Sequence, residues 1–180
     1  MSVQLETQRL IGRPIAAGDV ARLRILHGDE RVMATLSPDG AKLRRTETAA
    51  VLSKFMLAAD DAGRGVWVFH TRLDGIFVGY CGARKYMQSG LNDTELLYAV
   101  PWIEWKKGYA TEMATAVIAH LFKASGLSEL ISFTLPDNAA SRRVMEKCGF
   151  AFERTFRHAA REHVLYRLTR AVWAGRGGQL

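Results

Sequence analysis

Apolar and polar positions along the chain change period several times, and each change marks an element. Val3 to Arg13 alternates and stops at Pro14, which reads as a strand. Asp19 is placed to cap a helix running to about Gly28. Residues 29–45 mix Arg, Asp and Gly around the turn Ser37-Pro38-Asp39-Gly40, and read as a connection. Thr46 opens a second helix, with Glu47 in its first turn and Leu52, Phe55 and Met56 on its apolar face. After Gly63-Arg64-Gly65 come a strand Val66–Thr71, a hairpin turn at Leu73-Asp74-Gly75, and a strand from Ile76 to about Met87. A further strand, Thr94–Val100, ends at Pro101.

The clearest helix starts at Gly108. Ala110, Met113, Ala114, Val117, Ile118, Leu121 and Phe122 keep the i, i+3, i+4 spacing over three turns, and Gly126 ends it. A strand Glu129–Leu135 follows, then a helix capped by Pro136-Asp137-Asn138 and stopped at Gly149. Phe150–Arg157 and about Glu162–Leu168 are the last strands. The order is βααβββαβαββ. Hairpins combined with strand–helix–strand units predict an α/β fold: one mixed sheet covered by helices.

Composition adds bounds rather than detail. With 180 residues, 48% hydrophobic and 24% charged, the chain suits one domain, expected over residues 1–173 with a Gly-rich, mobile tail at 174–180. No apolar run approaches the roughly 20 residues of a membrane helix, and the N-terminus lacks a secretory pattern, so a cytoplasmic protein without a membrane partner is expected. Cys81 and Cys148 read as reduced, buried thiols, and the five histidines show no ligand spacing, so no metal site is expected. A net charge of +7 favours an anionic partner. No block interleaves basic residues with exposed aromatics, which argues against nucleic acid as the primary partner.

Candidate chemistry concentrates at two helix starts. Lys106-Lys107-Gly108-Tyr109-Ala110-Thr111 follows the strand that ends at Pro101. First-turn amides have no helical partner, and the dipole makes them an anion site. Gly108 lets backbone approach a phosphate, and two lysines add charge. Taken alone, a glycine turn with solvated lysines explains the motif as well. At the next helix, Asn138 and Ser141 stand three residues apart and can share one helix mouth, although simple capping is the plainer account.

Together these features resemble the GNAT acetyltransferase superfamily, in the branch that includes the RimJ and RimL ribosomal-protein acetyltransferases. The matching blocks are Thr7-Gln8-Arg9-Leu10-Ile11-Gly12-Arg13-Pro14 with Asp19, then Trp105 to Glu112, then Asn138 to Ser141 leading to Lys147-Cys148-Gly149-Phe150. Lys106 stands where a glycine is common in that branch, and Gly12 where an apolar residue is usual. The resemblance implies a GNAT-type fold with a splayed strand, acetyl-CoA as cofactor, and direct transfer to an amine. Leu97, Tyr98 and Val100 would lie along the splayed edge that pairs with the pantetheine amides. The pyrophosphate would rest on Lys106, Lys107, Gly108, Tyr109, Ala110 and Thr111. Asn138 would bond the pantetheine arm, and Ser141 would lie near the sulfur.

Such a reaction needs a base for the amine, donors for the oxyanion and a partner for the leaving thiolate. Ser141 is the candidate thiolate partner. Glu95, on the strand approaching the splay, and Glu162, near the last strand, compete as the base. The acceptor is expected to be a primary amine, on a ribosomal or other protein N-terminus or a small molecule. Its pocket would lie between residues 27–45 and the final hairpin. A non-catalytic acyl-CoA-binding regulator is the alternative, and a homodimer is expected from the resemblance alone.

Overall fold

A computed structural model describes residues 3–37 and 39–178. Pro38 of the expected Ser37–Gly40 turn, and Gln179 and Leu180 of the expected tail, lie outside the described residues. The strands are β1 (Leu5–Glu6), β2 (Leu10–Pro14), β3 (Gly65–Thr71), β4 (Phe77–Tyr86), β5 (Asp93–Ala99), β6 (Glu129–Thr134), β7 (Ala151–His158) and β8 (Arg161–Thr169). The helices are α1 (Val20–His27), α2 (Glu30–Leu36), α3 (Arg45–Met56), α4 (Tyr109–Ala124), α5 (Ala139–Lys147) and α6 (Arg170–Gly175).

The strands form one mixed sheet in the order β1-β2-β3-β4-β5-β6-β8-β7. Every neighbouring pair is antiparallel except β5 and β6. A parallel pair needs a long crossover, and α4 supplies it. Met113, Ala114, Val117, Ile118, Leu121 and Phe122 are all buried, so the stripe read from the sequence is the face α4 lays on the sheet. With Leu96, Leu130, Val164 and Tyr166 they form the core on that side. The other face is covered by α1 and α3 through Leu23, Leu26, Leu52 and Phe55, packed on Val66, Val68 and Tyr80.

Four details differ from the expected elements. The first strand is broken at Thr7–Arg9, where the Thr7 amide donates to the Leu10 carbonyl at 3.0 Å and closes a turn. The continuous alternation concealed it. α2 lies in the connection; Asp29 caps it by accepting from the Arg31 amide, and Val32 and Met33 are its buried residues. α6 follows β8, capped by Thr169 and anchored by Trp173, whose ring centroid lies 5.3 Å from that of Phe122. Asp19 is not a side-chain cap of α1. Its buried carboxylate accepts the Ala16 amide at 2.9 Å and pairs with Arg13 and Arg22. Gly12 has a steric reason: the Phe69 ring occupies the place of a Cβ, with its nearest atom 2.5 Å away.

Candidate active site

The site begins where β5 ends. Gly79 on β4 has φ +141°, and a Cβ there would come within 2.2 Å of the Ala99 carbonyl oxygen. Only glycine allows β5 to press so closely on β4 at this level. On its other side β5 parts from its neighbour. Glu95↔Ile131 is the single register pair joining β5 to β6, followed by a bond from the Ser132 hydroxyl to the Leu96 carbonyl at 3.0 Å. Leu97, Tyr98 and Ala99 continue past that point paired to β4 alone.

Beyond β5 the chain turns sharply. The Trp105 indole N–H donates to the Val100 carbonyl at 2.8 Å, and its ring packs against both cores, so it clamps the loop. Trp102 is half-exposed, with the Arg31 guanidinium 3.8 Å from its ring centroid. Lys106 has φ +64° and Gly108 φ +85°, both in the left-handed region. The lysine holds a conformation that glycine adopts without strain, costing about 1–2 kcal/mol. Gly108 is the N-cap of α4 and supplies no side-chain cap, so the first-turn amides of Tyr109, Ala110 and Thr111 stay available to an anion.

Lys107 spends its charge on buried Glu104, at 2.9 Å. A second paired cation, which the motif reading did not include, stands beside it. Arg9, from the β1–β2 turn, donates to the Lys107 carbonyl at 3.0 Å and to Glu112 at 2.7 Å, and lies over the Tyr109 ring. Glu112 also accepts from the Thr7 hydroxyl at 2.6 Å. Burial pushes the Glu112 carboxyl up, but the bonds from Thr7 and Arg9 outweigh it and hold it below its ordinary range. The turn is thereby pinned to the helix mouth, with a guanidinium beside Gly108. Arg9 stands in the first resembling block, yet its partner is 103 residues away.

At the second mouth, Asn138 is the N-cap of α5. Its side-chain oxygen accepts the Ser141 amide at 3.1 Å, and its amide nitrogen donates to the Thr134 hydroxyl at 3.0 Å. The capping account therefore holds, and it also fixes where Ser141 points. The Ser141 hydroxyl lies 2.8 Å from the Tyr98 hydroxyl, across the gap between β5 and α5. Tyr98 on β5 and Ser141 on α5 are thus brought together, with Asn138 at the α5 cap, while the Lys106–Thr111 loop leads from the end of β5 into α4.

The two carboxylates do not converge. Glu95 is 5% exposed and accepts from Arg84 at 2.7 Å. Burial raises its pKa, with Arg84 partly offsetting that. Glu162 is exposed, opposite Arg157 on the β7–β8 hairpin. Registers Glu95↔Ile131 and Ile131↔Arg167 put Glu95 on the face of Arg167, Leu165 and His163. Alternation then puts Glu162 on the opposite face, that of Val164 and Tyr166.

Sequence reading missed a cluster on the Glu95 face. Tyr86, Phe133, Phe156, His158 and His163 pack ring on ring, and the Tyr86 hydroxyl lies 2.8 Å from the His158 Nδ1. Burial lowers the pKa of both histidines, which favours the neutral ring. The period-two spacing of Phe156 and His158 was the signal available.

A family model described as the acetyltransferase (GNAT) domain matches residues 9–151. An uncharacterized N-acetyltransferase of Bacillus subtilis, YoaA, is 27% identical over 154 residues, covering 85% of each chain. Among solved structures, an acetyltransferase from Agrobacterium tumefaciens superposes with a TM-score of 0.80 at 23% identity, covering 93% of this chain and 95% of that one. RimL, a ribosomal L7/L12 α-N-protein acetyltransferase in complex with coenzyme A, gives a TM-score of 0.77 at 13% identity, covering 92% and 98%. Among the described residues no helix is long and apolar enough to cross a membrane.

Proposed function

Because the chain belongs to the GNAT acetyltransferase family, among the RimJ/RimL-like N-acetyltransferases that use acetyl-CoA, we propose that it acetylates a primary amine by direct transfer. The acceptor in this reading is the α-amine of a protein N-terminus or a small molecule. The observation that carries it is the β5 edge left without β6 pairing after Glu95, followed by the α4 start that has no side-chain cap.

The residues present fit the donor. Acetyl-CoA supplies an acyl group on a thioester and a diphosphate. The first-turn amides of α4, with Lys106 and Arg9 beside them, suit the diphosphate. The β5 edge from Leu97 to Val100 suits an amide-bearing arm laid along it as an added strand. Ser141, held by Tyr98 and by the Asn138 cap, offers a hydroxyl to the departing sulfur.

Direct transfer is supported by what the cysteines cannot do. Cys81 and Cys148 are buried, and burial pushes both thiols up, Cys148 to about 11. Neither is the exposed, low-pKa thiolate a covalent acyl-enzyme needs. The choice of an α-amine follows from proton bookkeeping. An α-amino group with pKa about 7.8 is roughly a tenth neutral at pH 7, whereas a lysine with pKa about 10.4 is neutral about once in 2,500 molecules. A carboxylate is a modest base, and it is adequate for the first case.

Bisubstrate kinetics with an amine panel, including N-terminal peptides, lysine side-chain amines and an aminoglycoside, tests both parts. Intersecting double-reciprocal lines with an α-amine preference support the proposal. Parallel lines with an acetylated enzyme in the mass spectrum would overturn direct transfer. Preference for ε-amines would overturn the acceptor assignment.

A further inference from the structure

We infer that Tyr98 is a positioning residue for the transfer, holding the Ser141 hydroxyl so that its hydrogen is free to meet the departing sulfur. This rests on the reading of Ser141 as the thiolate partner and goes beyond it, since a serine at a helix start has three rotamers and only a defined one is useful.

The geometry is specific. Tyr98 leaves β5 at the level where the ladder to β6 has ended, and its side chain spans the gap to α5. Its hydroxyl lies 2.8 Å from the Ser141 Oγ and 3.1 Å from the Ser141 carbonyl oxygen. That carbonyl sits in the first turn of α5, where the helical ladder already supplies it with an amide. The contact to Oγ is the shorter, and either oxygen can be its donor. When the phenol donates to Oγ, the serine's own hydrogen has no other partner among the described residues and can turn away from the phenol. When the phenol donates to the carbonyl, the serine hydrogen turns back to the phenol oxygen and is withheld. Charge growing on sulfur favours the first arrangement, because each bond in a chain polarises the next.

Tyr98 orients but does not give up its proton. Burial pushes its hydroxyl far above the ordinary phenol range, with the serine bond opposing that. In the transfer the amine nitrogen bonds to the acyl carbon, the carbon–sulfur bond breaks, and sulfur takes the electron pair. The proton lost by the amine balances the one the thiol gains, with water or a carboxylate as carrier. No net proton comes from Tyr98.

Steady-state assays of Tyr98→Phe, Ser141→Ala and the double variant test this, with acetyl-CoA binding measured by calorimetry. Ser141→Ala is expected to lower kcat roughly a hundredfold. Tyr98→Phe should lower kcat about tenfold, the effect of one mispositioned bond, with KM for acetyl-CoA unchanged. The double variant should be no slower than Ser141→Ala alone. A slow Ser141→Ala enzyme beside a Tyr98→Phe enzyme of normal kcat would overturn the positioning role. So would a raised KM with unchanged kcat, or multiplying effects in the double variant. Normal turnover of Ser141→Ala with intact acetyl-CoA binding would instead remove the thiolate role of Ser141, and this inference with it. Should Tyr98→Phe lose the fold by circular dichroism, Tyr98→Met carries the same test.

Discussion

Gly108 and Lys106 share the left-handed region of backbone space but differ in what they lose there, and this sets two substitutions against each other. Gly108 has φ +85°, and a Cβ added to it would stand 3.3 Å from the Arg9 Nη2. Gly108→Ala therefore forces an L-residue into left-handed geometry, at about 1–2 kcal/mol, and also presses on the guanidinium pinned to Glu112. For a domain of this size about 1 kcal/mol shifts Tm by roughly 2–4 °C, so a fall of about 2–8 °C is expected. Misaiming one charge-assisted amide bond to a phosphate costs about 2 kcal/mol more in binding, roughly thirtyfold in acetyl-CoA affinity. Lys106→Gly runs the other way in stability. It removes the strain of φ +64° in a non-glycine residue and should raise Tm by about 1–4 °C after the added chain entropy. It still weakens acetyl-CoA, by about threefold, because a charge is lost. Thermal melts and calorimetry of both variants, at two salt concentrations, read all four effects. If Gly108→Ala melts early yet binds acetyl-CoA as tightly as the parent chain, the α4 mouth is not where the diphosphate rests. If Lys106→Gly melts early too, the strain argument is wrong.

Glu95→Gln should abolish the acid limb of the kcat/KM profile, whose midpoint lies above the ordinary 4.5 because burial raises this carboxyl; an unchanged limb in a pH–rate series would remove Glu95 as base. His27 is buried against the Thr48 hydroxyl at 3.2 Å, and burial lowers its pKa from 6.5 to about 4. The unfolded chain then binds a proton between pH 6.5 and 4 that the native chain refuses, so stability is full above 6.5 and falls by about 3 kcal/mol towards pH 4. His27→Gln should flatten that slope in urea midpoints, and an equal slope in both proteins would contradict it. Cys81 and Cys148 should react with a thiol reagent only as fast as the chain opens, so rapid labelling of the native protein would contradict their burial.

The sheet and the two helix mouths were readable because they rest on local rules. α4 announces itself by seven apolar positions at helical spacing, six of them buried, and α5 by an Asn cap and a terminal glycine. What escaped depends on partners distant in the chain. The Thr7–Arg9 break is invisible in an alternating run until Glu112 arrives to accept from Thr7 and Arg9. α6 follows a strand without a spacer and is defined by Trp173 reaching Phe122. Asp19 has the residue type of a cap, yet two arginines and one amide claim its carboxylate. Arg9 stands in a resembling block, but its contacts to Glu112 and the Lys107 carbonyl come only from where the β1–β2 turn docks.

The same distinction governs the choice between the two carboxylates. Both were candidates by residue type, and only register separates them. Glu95 faces the side covered by α1 and α3, with Arg84 at 2.7 Å and the Tyr86–His158 pair on the same face. Glu162 faces the opposite side, that of Val164 and Tyr166, and is exposed. In the proposed pose the acyl carbon lies along the β5 edge between these faces, and an amine would attack it from one side only. The side covered by α1 and α3 also holds the His158–His163 cluster and the carboxyl whose pKa burial raises. Burial makes Glu95 a stronger base than an unperturbed carboxylate, with Arg84 opposing that. The proposal therefore binds the acceptor's direction of approach to Glu95: an acid limb that follows Glu162 instead would move the amine to the α5 side of the sheet.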